Sequence, residues 1–132
     1  ALSETYERVS LQSLRTTYPK VSSKHRVLLV ESLRNSAWPL PPDAEVWLVV
    51  AVTRGTAVIY DGRRYKAAVA LKSGGSVKYL RQLTTADVFT LVYPRSIVEI
   101  PPFHPFEPLE SRAEKLGGVV ESIISLFEKA SA

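Results

Sequence analysis

Two histidines, His25 and His104, are the only imidazole side chains in the chain, and most of the sequence lies between them. Neither has a nearby carboxylate pattern typical of general acid-base catalysis or metal binding. Cysteine is absent, which excludes disulfides, thiolate metal ligands and cysteine nucleophiles. No serine lies in a Gly-x-Ser-x-Gly motif, and Asp61 and Asp87 lie in predicted turns. The residues therefore predict a protein that is not an enzyme, with no metal and no cofactor.

Aromatic and basic side chains instead concentrate in one stretch, Glu45 to Lys72. It contains Trp47, Tyr60 and Tyr65 together with Arg63, a combination that suits stacking of unpaired bases. The alternative is that the three rings belong to a hydrophobic core, because aromatic side chains are also common inside sheets. We predict the three rings as stacking residues and keep core packing as the alternative.

The positive charge of the chain lies mainly between residues 54 and 95. The formal net charge is +4, but this segment alone has eight Lys or Arg against two Asp. Such a basic excess, on the same segment as the aromatic residues, favours nucleic acid over a membrane surface as the partner. The residues predicted to contact phosphates are Arg54, Arg63, Arg64, Lys66, Lys72, Lys78 and Arg81. Arg63 is best placed for both stacking and phosphate contact.

The same stretch is predicted to form two consecutive β-hairpins. Residues 46–53 are apolar and rich in β-branched side chains, and Arg54-Gly55 gives a two-residue turn before residues 56–60. Asp61-Gly62 is a strong hairpin signal, because these residues tolerate the positive φ angles of a type I′ turn. A third strand is therefore expected from Arg63 to about Leu71.

Two-residue turns also predict the register, because cross-strand partners share a face and side chains alternate along each strand. One predicted face contains Trp47, Val49, Ala51, Thr53, Thr56, Val58, Tyr60, Arg63, Tyr65 and Ala67. The other contains Val46, Leu48, Val50, Val52, Ala57, Ile59, Arg64, Lys66, Ala68 and Ala70. The second face is aliphatic enough to pack on helices. Which of the two is the binding face stays open.

Two N-terminal helices are predicted to pack against this sheet. Helical spacing of apolar residues indicates a helix over residues 3–17, with Pro19 at or beyond its end. Residues 24–34 favour a second helix, with a strand as the alternative. In the proline-stiffened connection over residues 35–42, Trp38 either fills the core or lies exposed.

Further strands are predicted after the hairpins. Residues 77–83 fit a helix or a strand, residues 88–93 form a strand, and residues 96–100 continue it or form an edge strand. The sequence thus predicts an α+β fold with a four- to five-stranded antiparallel sheet.

The C-terminal third contains a proline-rich linker and a heptad-like helix. The predicted organisation is an α+β nucleic-acid-binding domain over 1–100, a stiff linker over 101–108 and an oligomerisation helix over 109–132. Apolar residues in the helix recur with steps of four and three, which is typical of a coiled coil. We predict a dimer or tetramer; the alternative is a monomer whose helix covers its own sheet. The predicted contact residues are Leu116, Val120, Ile123 and Phe127.

Composition predicts a cytoplasmic protein from a thermophile. No apolar segment approaches the ~20 residues of a membrane span, and no signal-peptide pattern occurs. Cysteine and methionine are absent, and Asn and Gln are scarce, which is typical of thermophile proteins.

In the order of its predicted elements, the chain resembles ThermoDBP and its related proteins, which are archaeal single-strand nucleic-acid-binding proteins. The resemblance rests on two N-terminal helices, a basic and aromatic antiparallel sheet, a proline-rich linker and a heptad-like C-terminal helix. It implies a cleft with an apolar floor and basic edges, binding of single strands with little sequence preference, and oligomerisation through the C-terminal helix.

The predicted function is therefore non-catalytic binding of single-stranded DNA or RNA, with no preference between them indicated. A protein-interaction module is one alternative. A small flavin- or nucleotide-binding protein is another.

Overall fold

The computed structural model describes residues 17–21, 23–24, 26–32, 35–75 and 83–131. Its elements are β1 (Leu48–Thr53), β2 (Thr56–Asp61), α1 (Gly62–Ser73), α2 (Thr85–Phe89), β3 (Ser96–Glu99) and α3 (Leu109–Ser131). The α+β class is confirmed. In the described part of the chain the sheet has three antiparallel strands in the order β1-β2-β3, rather than four or five.

The chain divides into two compact units, and the boundaries differ from the predicted domains. One unit lies within residues 1–44 and 68–90, and the other consists of residues 45–67 and 91–132. The C-terminal helix α3 therefore belongs to the same unit as the sheet.

The first predicted hairpin is confirmed together with its register. Val49 lies opposite Tyr60, Ala51 opposite Val58 and Thr53 opposite Thr56. Gly55 closes the turn with a φ of 79°, a left-handed conformation that glycine adopts without a Cβ clash. The aliphatic face is buried along β2, where Ala57 and Ile59 are inaccessible to solvent.

The second predicted hairpin is wrong, because the chain enters helix α1 directly after β2. Asp61 acts as the N-cap of this helix, and its Oδ1 accepts a hydrogen bond of 3.0 Å from the Arg64 backbone N–H. Tyr65, Ala68 and Val69 are all buried, and their spacing of three and four residues is that of one helix face. The segment from Arg63 to Leu71 is therefore helical, and the predicted third strand does not form.

The predicted strand over residues 88–93 is also wrong. Residues 85–89 form the short helix α2, and residues 92–94 are irregular. At the start of α2, the Asp87 carboxylate accepts hydrogen bonds of 2.9 Å from both the backbone N–H and the hydroxyl of Thr84. These bonds, the backbone one first, hold the pKa of Asp87 below its ordinary value. The cap thus outweighs the β-branched composition of this short apolar run.

Trp38 fills the core of its unit, which decides between the two roles predicted for it. Its indole N–H donates a buried hydrogen bond of 2.9 Å to the carbonyl of Pro41. Ala37, Leu40 and Ala44 are buried as well. The proline-rich connection is therefore part of a packed core.

The N-terminal predictions are tested in part. The predicted helix over residues 3–17 lies almost wholly outside the described residues, while residues 17–21 are helical and include Pro19. The second predicted helix is wrong where it is described, because residues 26–32 are irregular and solvent-exposed. The ambiguous segment over residues 77–83 lies outside the described residues except for its last position.

The predicted C-terminal helix is confirmed as α3, and it lies against the sheet of the same chain. Helix α3 packs against β1 and β3, and Val119 is buried. Residues 101–108 contain no helix or strand, and they are bonded back to α3: Lys115 pairs with Glu107, and Arg112 donates a 3.0 Å bond to the Pro105 carbonyl. The alternative in which the helix covers its own sheet is the arrangement found in this chain.

Candidate nucleic-acid interface

The antiparallel topology brings three chain segments to one end of the sheet. Strand β1 begins there, β2 ends there and leads into α1, and β3 begins there. We call this region the basic end of the sheet and define it by Trp47, Arg63, Arg64, Tyr93 and Arg95.

Trp47 and Arg63 are in direct contact at the basic end. The Arg63 guanidinium lies over the Trp47 ring, 5.1 Å from its centroid, which is cation-π geometry. Trp47 is partly exposed and Arg63 is exposed. Because the Arg63 guanidinium is planar and exposed, it can also contact a further flat ring.

The close approach of the chain at Gly62 determines this contact. The Gly62 backbone N–H donates a 2.9 Å hydrogen bond to the carbonyl of Trp47. A Cβ atom at Gly62 would lie 1.9 Å from the carbonyl oxygen of Val46, so a residue without a side chain is required. The first residue of α1 is thereby bonded to the chain just before β1, and Arg63 follows it directly.

The charges at the start of α1 oppose the helix dipole. Arg63 and Arg64 lie in the first turn, and α1 has no acidic residue there. Cations at this end of a helix are unfavourable by ~0.3–1 kcal/mol each at an exposed site. The Asp61 carboxylate at the N-cap reduces this repulsion, and it also lies 3.9 Å from the Arg95 guanidinium. A bound anion would offset this unfavourable arrangement.

Other charges near the basic end are of both signs. Lys66 lies one turn further along α1 and is partly exposed, while Glu45 precedes β1 and is exposed. Counting Arg63, Arg64, Lys66 and Arg95 against Glu45 and Asp61 gives four positive and two negative charges. The local excess is positive, and it is provided mainly by arginines.

Tyr60 and Tyr65 are core residues in this structure. Tyr60 is 3% exposed and Tyr65 is 1% exposed, and their ring centroids are 5.6 Å apart with planes tilted by 54°. This is an ordinary packing geometry for two buried rings. The core alternative therefore describes them better than stacking on a ligand, and we do not include them in the interface.

Burial of Tyr65 predicts a loss of stability at alkaline pH. Burial, and after it the proximity of Tyr60, raise the pKa of Tyr65 to about 12. In the unfolded chain this phenol ionises near pH 10, so above that pH the unfolded state releases a proton that the folded state retains. The contribution of the Tyr65 phenol to the free energy of unfolding is fully present below pH ~10. It is lost as the pH rises towards 12, by about 1.4 kcal/mol per pH unit.

Urea unfolding at about pH 9 and about pH 11 measures this effect. We expect the free energy of unfolding to fall between the two values, and to fall less in Tyr65→Phe, which has no phenol to ionise. An equal fall in the variant would contradict the assignment.

The remaining residues predicted to contact phosphate do not lie at the basic end. Arg54 is exposed in the β1–β2 turn, at the opposite end of a six-residue strand and therefore about 20 Å away. Lys72 is exposed in the other unit, where its charge helps to lower the pKa of Asp87. Lys78 and Arg81 lie outside the described residues. Of the seven basic residues, the structure brings together Arg63, Arg64 and Lys66.

Two residues of the basic end were missed by sequence reasoning. Tyr93 is 93% exposed, and Arg95 donates its backbone N–H to the Ile59 carbonyl at 2.7 Å, which places this segment beside the end of β2. The sequence signal was the Tyr-Pro-Arg order directly before a strand, since proline ends regular structure and leaves its neighbours at a sheet end. This signal was not used because residues 88–93 were predicted to form a strand.

Three further features concern catalytic, metal-binding and membrane-spanning roles. The His104 ring nitrogen Nδ1 accepts a 3.2 Å bond from the Phe106 backbone N–H, and His25 lies outside the described residues. In the described ranges, no three His, Cys, Asp or Glu residues are grouped closely enough to hold a metal ion. No helix in that part of the chain is long and apolar enough to cross a membrane.

The fold and site define an α+β protein in which the sheet of the described residues has one cationic and aromatic end. Comparison with protein-family models, curated proteins and solved structures finds no match for this chain. The resemblance to ThermoDBP-related proteins therefore stays a prediction.

Proposed function

We propose that this protein binds single-stranded DNA or RNA at the basic end of the sheet, without catalysis and with little sequence preference. The observation that supports this most is the Arg63 guanidinium over the partly exposed Trp47 ring, at a helix start with a second arginine. A flat cation on an indole provides stacking and charge at one position, and a nucleotide offers both a π face and a phosphate.

The proposed binding mode follows from the geometry of these groups. A base stacks on the exposed Arg63 guanidinium or, if Arg63 moves aside, on the Trp47 ring itself. Arg64, Arg95 and Lys66 contact the phosphates. Because every base has a π face and phosphates are the same in every sequence, such a site tolerates any base. DNA and RNA both satisfy these requirements.

Tryptophan fluorescence tests the proposal directly. The chain has two tryptophans, and Trp38 is buried in a core while Trp47 is partly exposed at the proposed site. We expect a single-stranded oligonucleotide to quench part of the emission saturably, because a base stacked at Trp47 perturbs that indole alone.

The matched control is Trp47→Phe, which leaves Trp38 as the reporter. Its emission should not respond to the oligonucleotide, even where anisotropy of a labelled strand shows residual binding. Quenching that persists in Trp47→Phe, or an absence of binding by the unchanged protein, overturns the proposal.

We also propose that the protein forms a homo-oligomer through the exposed side of α3. Val120 is 48% exposed and Ile124 is 51% exposed, and they lie one helical turn apart. Leu116, Ile123 and Phe127, also predicted as contacts, are only partly exposed. The proposed contact is therefore centred on Val120 and Ile124, next to the buried Val119.

Light scattering at micromolar concentration tests this association. The unchanged protein should have the mass of a dimer or tetramer, and the double variant Val120→Ser with Ile124→Ser should be a folded monomer, because it removes exposed apolar surface and leaves Val119 in place. A monomeric unchanged protein rules the association out. Truncation after Ile100, by contrast, should destabilise the sheet, because α3 packs on β1 and β3.

A protein-interaction module is the second candidate, and exposed apolar side chains favour it. Phe106 is 89% exposed, and Leu109 and Ile97 are exposed as well. Such residues contribute to protein interfaces more often than to contacts with phosphates. A protein partner would bind with an affinity that is insensitive to Arg63 and Arg64, whereas the nucleic-acid proposal requires those residues.

A further inference from the structure

Tyr93 and Arg95 extend the proposed binding site to a third chain segment. On the basis of the single-strand binding proposed above, we infer that the bound DNA or RNA strand crosses the end of the sheet from Trp47 to Tyr93. Tyr93 is then a second stacking residue, and the site holds about three nucleotides.

The order of the strands places the two aromatic residues on either side of β2. Trp47 directly precedes β1, and Tyr93 lies three residues before β3. Strands β1 and β3 are both hydrogen-bonded to β2, so two strand spacings, about 10 Å, separate them at this end. The side chains of the two residues are partly exposed and almost fully exposed, respectively.

Cations lie between these two aromatic residues. Arg63 and Arg64 follow the end of β2, the central strand, and Arg95 is bonded to the Ile59 carbonyl through its backbone. The Arg95 guanidinium is 3.9 Å from the Asp61 carboxylate, and both side chains are about one third exposed, at 36% and 31%. An ion pair this long and this exposed is weak, so a phosphate can replace Asp61 as the partner of Arg95.

The distance across the sheet indicates the length of the site. A stacked strand has one phosphate per about 3.4 Å, so 10 Å corresponds to about three nucleotides. Arg54, about 20 Å away along the strands, lies outside this path. The affinity should therefore stop rising after a short length, and few phosphates should contribute to the salt dependence.

A length series of labelled oligothymidylates tests the inference. We expect the affinity, corrected for the number of sites on each strand, to level off at about four nucleotides. Because about three phosphates are neutralised, log affinity should fall against log salt with a slope of about −2. A steeper slope, or an affinity that rises beyond about eight nucleotides, overturns the short path and leaves single-strand binding intact.

Substitution of Tyr93 tests the second stacking position. Tyr93→Ala should weaken binding of a four-nucleotide strand by about 5- to 150-fold, the range for loss of one stacked base, and Tyr93→Phe should restore most of it. Phe106→Ala is the matched control, since Phe106 is equally exposed and lies after the far end of β3. Normal binding by Tyr93→Ala contradicts the inference alone. No binding of any oligothymidylate by the unchanged protein overturns the inference together with the proposed function.

Discussion

Replacement of Gly62 by Ala is expected to destabilise the sheet unit by at least about 3 kcal/mol. The added Cβ would lie 1.9 Å from the carbonyl oxygen of Val46 and 2.7 Å from the carbonyl carbon of Trp47. Both are backbone atoms, so no side-chain rotation relieves the clash. Separation of the two segments would also break the 2.9 Å hydrogen bond from the Gly62 N–H to the Trp47 carbonyl. Urea unfolding measures the change, which is a large part of the ~5–15 kcal/mol typical of a domain.

Gly117→Ala is the matched control for this substitution. Gly117 lies inside α3, and a Cβ there would meet no atom within 4 Å. Alanine in a helix interior is more stable than glycine by ~0.5–1 kcal/mol, so this variant should be more stable than the unchanged protein. The two Gly→Ala variants should thus change stability in opposite directions. A stability of Gly62→Ala within about 0.5 kcal/mol of the unchanged protein would contradict the close approach at Gly62.

Reversal of the charge at both Arg63 and Arg64 should lower the affinity for a single strand by at least about 100-fold. The double variant to Glu removes the stacking cation and a phosphate contact, and it places two carboxylates beside the phosphates. Both side chains are exposed, so no core packing is lost. Fluorescence anisotropy with a labelled strand in ~0.1 M salt measures the change.

Stability measurements separate this effect from simple unfolding. Glutamates in the first turn of α1 interact favourably with the helix dipole, so the double variant should unfold at an equal or higher urea concentration. Arg54→Glu changes the charge equally per residue at the opposite end of the sheet, and it should weaken binding only slightly. An equal effect of Arg54→Glu would indicate a general response to net charge and no site at the basic end.

The hairpin of β1 and β2 could be predicted with its register because the information is local. The β-branched run, the glycine at position 55 and the alternation along each strand all indicate the same pairing. Asp61-Gly62 is different, since aspartate is favoured both in type I′ turns and as a helix N-cap. The spacing of Tyr65, Ala68 and Val69 is a local signal for the helix, and the approach of Gly62 to Val46 adds a contact between residues 16 positions apart. No pattern within residues 61–73 reports that contact.

In the candidate site, too, local sequence patterns predict some features and miss those that depend on distant segments. Trp47 and Arg63 were predicted to lie on one face of a sheet, and they are in contact, although through a helix start. Tyr60 was predicted to share that face and does so in the strand register, but burial makes it a core residue. The alternation of side chains along a strand predicts which residues share a face of the sheet. Whether other parts of the chain bury that face depends on segments that are distant in the sequence. Tyr93 was missed because residues 88–93 were predicted to form a strand, whereas residues 85–89 form α2, capped at its start by Thr84 and Asp87, and residues 92–94 are irregular.

The basic end of the sheet is proposed to bind unpaired nucleotides. The most direct test compares a labelled single strand with the corresponding duplex by fluorescence anisotropy in ~0.1 M salt, for the unchanged protein and for the double variant of Arg63 and Arg64. We expect tighter binding of the single strand, because stacking requires unpaired base faces, and loss of that preference in the variant. Equal affinity for the duplex, or an unchanged preference in the variant, would contradict the proposal that the basic end of the sheet binds unpaired nucleotides.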